Sequence, residues 1–128
     1  MLLLAIGSSI GSVLLLRWVD PWTSTFMMAT RKDALLAGNF DYSNDYRWVD
    51  LERISPQAAI AVVAAEDQRF PFHPGFDFKS IREALRHNAR RTRVRGASTI
   101  SQQVAKNLFL WRGRSYLRKG LEAWFTVL

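Results

Sequence analysis

The first sixteen residues, MLLLAIGSSIGSVLLL, carry no charge, and so long an apolar run has to be hidden from water by protein or by lipid. Trp18 and Val19 extend it past Arg17 to 19 residues. As a helix rising about 1.5 Å per residue it would reach about 28 Å, against roughly 30 Å for a hydrocarbon core. The expectation is a membrane anchor over 1–19, with Arg17 snorkelling and Trp18 at the interface. A secretory signal would place basic residues before the run and a small-residue cleavage site after it, and neither is present. A buried core helix is the competing reading, supported by Gly7, Ser8, Ser9 and Gly11. The nearest charges, Arg17, Arg31 and Lys32, would by the positive-inside rule leave the rest in the cytoplasm, but long domains translocate with little regard to charge.

The remaining length fits one domain at most, and a composition that is 48% hydrophobic excludes a disordered chain. Without cysteine there is neither a disulfide framework nor a thiolate metal site. Charge is distributed in blocks: residues 1–66 hold five basic and seven acidic side chains, while 79–119 hold twelve basic and one acidic, Glu83. A block of net +11 calls for polyanionic company such as phosphorylated substrate, anionic lipid or nucleic acid.

Along the chain the pattern is helical. Residues 20–54 show only a hint of an extended segment at Arg47–Leu51. Ser55-Pro56 predicts a helix start, followed by an Ala-rich buried helix ending in Glu66-Asp67. Asp77 predicts the next N-cap, with Ile81, Ala84, Leu85 and Asn88 on one face and Arg82, Arg86 and Arg90 on another. Thr99 and Gln102 have capping-box spacing, ahead of an apolar side through Ile100, Val104 and Leu108. A last helix starts near Ser115, with Leu117, Leu121, Trp124, Phe125 and Leu128 inward and Arg118 and Glu122 outward. No cap closes it before Leu128, which suggests a truncated chain.

Two features suggest chemistry. Desolvation and a neighbouring like charge both favour a protonated carboxyl, as acid–base work near neutrality requires, and Glu66 at a buried helix end beside Asp67 fits that need. The alternative is an ordinary solvated helix end. Ser98 to Asn107 sets hydroxyls at a helix N-terminus, with Gln102, Gln103 and Lys106 projecting from its first turns, a combination suited to a phosphate. Capping alone would explain Thr99 and Gln102 but not the amide-amide-lysine face. His73, between Phe72 and Pro74, fits a structural histidine better than a ligand.

Three blocks taken in order resemble the family 51 glycosyltransferases, the peptidoglycan-polymerising enzymes, in their monofunctional membrane-anchored branch. Glu66-Asp67-Gln68-Arg69-Phe70-Pro71-Phe72-His73-Pro74-Gly75-Phe76-Asp77 is similar to the EDxxFxxHxG block, Arg95 to Asn107 to the GxSTIxQQxxKN block, and Arg118 to Glu122 to RKxxE. The resemblance implies an all-α, lysozyme-like glycosyltransferase domain, incomplete here because two further blocks are absent, behind an N-terminal transmembrane helix. The implied organisation is an anchor at 1–19, a linker and N-terminal part of the catalytic region at 20–54, and the N-terminal portion of the transferase domain at 55–128.

The implied reaction passes a growing glycan from undecaprenyl diphosphate to the 4-hydroxyl of lipid II with inversion. By the same resemblance Glu66 is the base, Glu122 is a second functional glutamate, and Ser98, Gln102, Gln103, Lys106 and Arg114 bind substrate. Glu122 is also the candidate holder of a diphosphate-bound divalent cation, Mg2+ or Mn2+, or an orienter of basic side chains. Expected partners are lipid II, the lipid-linked glycan, membrane lipid and a cell-wall synthesis complex, and not nucleic acid. The expected location is the bacterial inner (plasma) membrane, single-pass, with the catalytic domain on the periplasmic or extracellular side. The rival readings are a membrane-attached lysozyme-like hydrolase, which needs no cations aimed at diphosphate, and a nucleic-acid binder, which would want aromatic rings among its arginines.

Overall fold

The computed structural model describes all 128 residues as six α-helices with no strand. They are α1 (Leu2–Leu15), α2 (Thr25–Leu36), α3 (Pro56–Glu66), α4 (Phe78–Asn88), α5 (Ile100–Phe109) and α6 (Tyr116–Val127), with single 3-10 turns at Leu51–Arg53 and Phe70–Phe72. The all-α expectation holds.

The expected 19-residue span does not. α1 has 14 residues, about 21 Å, and no helix is long and apolar enough to cross a membrane. Its shortening has local causes. The hydroxyls of Ser9 and Ser12 donate back to the carbonyls of Ile6 and Ser9, each at 2.8 Å, which competes with a straight ladder. From Leu16 to Trp18 the amides turn to carbonyls three residues back, so the helix tightens and stops before Arg17 and Pro21. A hydrogen bond from Trp124 Nε1 to Ser9 Oγ, 3.0 Å, ties α1 to α6.

α2 is a helix where no helix was expected. Ser24 caps it by accepting from the Met27 amide at 3.2 Å, and Gly38 at φ +81° turns the chain out of its far end. It lies on α5, where Thr25 Oγ1 reaches the carbonyls of Leu110 (2.6 Å) and Asn107 (3.0 Å), and Arg112 pairs with Asp33 at 2.8 Å. Residues 43–50 form a loop tethered by a 2.7 Å bond from the Tyr46 hydroxyl to the Pro21 carbonyl, so the extended segment hinted at Arg47–Leu51 is not a strand.

The starts of α4, α5 and α6 were legible from their caps, whereas α3 starts at Pro56 as expected but Ser55 makes no side-chain cap bond. Asp77 accepts from the amides of Lys79 and Ser80 at 3.0 Å each, Thr99 and Gln102 form the reciprocal capping box, and Ser115 accepts from the Arg118 amide at 3.1 Å. Helix faces were less legible. α3 has no buried residue, so Glu66 ends an exposed helix rather than a buried one. On α5 the buried positions are Gln102 and Ala105, while Val104 is exposed. On α6 Arg118 and Glu122 are buried and Leu117 is exposed, the reverse of the expected arrangement. The cause is the packing of α6 on α5 through a stack of Phe109 on Phe125 (4.4 Å between ring centres), which turns the Arg118–Glu122–Phe125 side inward.

The accessible surface is 10516 Å2, whereas a compact monomer of this mass would expose about 6,900 Å2. Only Ala84, Ala105 and Leu110 are buried hydrophobics. The buried side chains are otherwise polar or charged, Asp67, Asp77, Thr99, Gln102, Arg118 and Glu122, and among them Asp67 and Thr99 position the candidate site.

Candidate active site

Asp67 joins two chain segments. Its Oδ2 accepts from the Ile100 amide at 3.1 Å, at the positive end of α5, and both its oxygens lie 3.0–3.1 Å from His73 Nε2. The Gly75 amide donates to His73 Nδ1 at 3.2 Å, so that nitrogen is unprotonated and Nε2 carries the hydrogen given to Asp67. Thr99 Oγ1 donates to the Gly75 carbonyl at 2.6 Å and closes the circuit. Gly75 has φ +103°, and a Cβ there would meet Thr126 Cγ2 at 3.0 Å, so both the conformation and the close approach require glycine.

The circuit fixes the end of α3 against the start of α5 and so aims Glu66 at Gln103. Gln103 Nε2 donates to Glu66 Oε2 at 2.9 Å, leaving Oε1 without a protein donor and able to take a proton. The two side chains face a cleft of about 580 Å3, whose wall also includes Ser98 and three cations, Arg69, Lys79 and Arg95. Arg69 and Arg95 belong to blocks recognised in the sequence and Lys79 lies just beyond the first, but none of the three had a role assigned there. Arg69 Nε lies 3.2 Å from Asp77 Oδ2. Asp77 titrates below its ordinary 3.8, chiefly because the Ser80 amide donates to it. Burial pulls the other way, and the Ser80 hydroxyl, Arg69 and the Lys79 amide reinforce the lowering.

Glu66, Ser98 and Gln103 thus share one cleft. Gln102 does not enter it, because its side chain is buried in the capping box with Thr99. Lys106 stands over the Phe26 ring at 5.4 Å, on the α2 side of α5. Arg114 lines a second hollow of about 410 Å3 with Ser115, Tyr116, Arg118 and Lys119. Lys119 connects the two hollows, since its ammonium reaches Ser98 Oγ at 3.4 Å and also pairs with Glu122.

Glu122 is engaged on both oxygens, by Arg118 at 3.0 Å and by Lys119. No group of three His, Asp or Glu side chains could hold a metal ion. These residues do not fit a protein-ligated Mg2+ or Mn2+, and of the two roles expected for Glu122 the geometry matches the orienting of basic side chains.

Comparison with known proteins agrees with the sequence blocks. The sequence profile of the Transglycosylase family matches residues 33–128. A biosynthetic peptidoglycan transglycosylase of Xanthomonas oryzae pv. oryzae is 56% identical over 126 residues, covering 98% of this chain and 51% of that protein. Proteins of the same description from Xanthomonas campestris pv. campestris and Xylella fastidiosa are 55% and 53% identical, covering 98% and 92% of this chain. The chain spans about half the length of the curated relatives it matches.

Proposed function

The chain belongs to the transglycosylase family, and from that membership together with the Glu66 cleft we propose that it carries the base of a lipid II polymerase. The carrying observation is a carboxylate held by Gln103 on one oxygen, open on the other, and set in a cleft walled by Arg69, Lys79 and Arg95.

In the proposed step Glu66 takes the proton of the lipid II 4-hydroxyl as that oxygen attacks the anomeric carbon of the growing glycan. The bond from that carbon to the undecaprenyl diphosphate oxygen breaks with inversion, and the diphosphate departs with the electron pair. A diphosphate is a good leaving group, so fixed positive charge serves it better than a general acid. Lys106 and Arg114 are the diphosphate contacts carried by the family likeness; Lys119 links the hollow of Arg114 to Ser98, while Lys106 stands apart on the α2 side of α5. The step runs at the periplasmic or extracellular face of the plasma membrane, where other wall-building proteins would be partners.

Two carboxylates flanking a neutral glycosidic bond would point to hydrolysis instead. Of the other acids lining the cleft, Asp67 is committed to His73 and Asp77 to Arg69 and Ser80, while Glu83 is unpaired, so the two readings are separated by assay. The test is to give the intact protein lipid II and, separately, preformed glycan. Long strands from the first and no fragments from the second are expected; fragments without polymer would overturn the proposal.

A further inference from the structure

α2 reaches the candidate site through one aromatic ring. Phe26, Thr30 and Asp33 are spaced four and three apart, so they share one face of α2, the face on which Arg112 lies. The Arg112 guanidinium pairs with Asp33 at 2.8 Å, donates to Thr30 Oγ1 and to the Phe26 carbonyl (3.3 Å), and stands 5.2 Å from the centre of the Phe26 ring. The same ring carries Lys106, whose ammonium lies 5.4 Å from its centre and belongs to no ion pair. Both Phe26 and Lys106 are half-buried in this seam. Lys106 follows Gln103 by three residues on α5, about 4.5 Å further along the axis. The side chain that holds Glu66 and the one that leans on Phe26 therefore occupy neighbouring turns of one helix.

We propose that Phe26 is a positioning residue for glycosyl transfer, its ring fixing the Lys106 ammonium beside the Gln103 turn so that the departing diphosphate meets a cation already in place. The inference rests on the reading of Lys106 as a diphosphate contact. A carboxylate would fix the lysine more firmly, but it would offset the positive charge and claim an N–H donor, as Glu122 does with Lys119. A ring face attracts the ammonium and leaves its charge uncompensated, with donors available for phosphate oxygens as negative charge moves onto the leaving group. Phe26 lies ahead of residues 33–128, so the family likeness gives it no role.

The sequence has four lysines, Lys32, Lys79, Lys106 and Lys119, few enough to separate by NMR. With lysine labelled at the ε-carbon, the Lys106 ε-protons in the intact protein should be shifted upfield by the ring. That shift should vanish in Phe26→Leu and return in Phe26→Tyr. In lipid II polymerisation Phe26→Leu should lower kcat about three- to tenfold with KM little changed, and Phe26→Tyr should restore it. Once Lys106→Ala is in place, Phe26→Leu should have no further effect. Three results would overturn the positioning role and leave the diphosphate reading standing: no upfield shift in the parent, a shift that survives Phe26→Leu, or equal losses from Phe26→Leu with and without Lys106. Turnover undiminished by Lys106→Ala would overturn both.

Discussion

Asp77 makes a contribution to stability that pH can reveal. Its carboxyl is held below its ordinary 3.8 by the Ser80 amide above all, so the unfolded chain binds its proton more readily than the folded one. The stabilisation is therefore complete above the unfolded value and is lost as pH falls through the folded one. Urea unfolding between about pH 5 and pH 2 should show stability falling with acid, and Asp77→Asn should be less stable at neutral pH with a flatter acid limb. An unchanged limb would place the acid sensitivity elsewhere. His73 makes a second residue-scale prediction. With Nδ1 accepting from Gly75 and Nε2 donating to Asp67, nitrogen NMR should find the Nε2-protonated neutral tautomer, and the opposite tautomer would break the circuit that aims Glu66. The caps at Asp77, Thr99 and Ser115 could be read from the sequence because each acts on amides two or three residues away. The Asp67–Ile100 and Glu66–Gln103 contacts could not, because they depend on how the end of α3 approaches α5, 33 to 37 residues away in the chain.

At the scale of elements, the faces of α5 and α6 separate sequence pattern from packing. Period alone sends Leu117 inward and Arg118 with Glu122 outward, yet the ion pair is buried, its side chains 11% and 3% exposed. Hydrophobicity gave the wrong side because both glutamate oxygens find cations, which offsets their removal from water. A buried pair of this kind is costly to halve. Glu122→Gln should lose about 3–5 kcal/mol in urea unfolding by leaving Arg118 buried without its counter-charge, while Arg118→Met with Glu122→Leu should lose far less. Equal losses from both variants would mean that the charge pair is not what the element depends on. α2 went unread for a related reason: its one clear signal, Ser24 as N-cap, stands in a stretch rich in turn formers. Its docking on α5 comes from contacts such as Thr25 with Leu110, 85 residues apart.

Over the whole molecule, the helices hold together through the Phe109–Phe125 stack and a few polar contacts between segments while apolar faces of α1, α3 and α4 stay open, which accords with an accessible area well above that of a compact monomer. The burial expected around Glu66 is absent, because it ends a helix with no buried residue. The cations are also arranged differently from the sequence expectation, with Arg69, Lys79 and Arg95 beside Glu66 and Lys106 and Arg114 on other faces. The central claim is that Glu66 is the base. Its most direct test is the rate of fluorescent lipid II polymerisation by the intact protein carrying Glu66→Gln, with lipid II binding measured on the same preparation. The account predicts binding close to that of the parent and turnover lower by about a hundredfold to ten-thousandfold. Undiminished turnover with Gln at position 66 would contradict it.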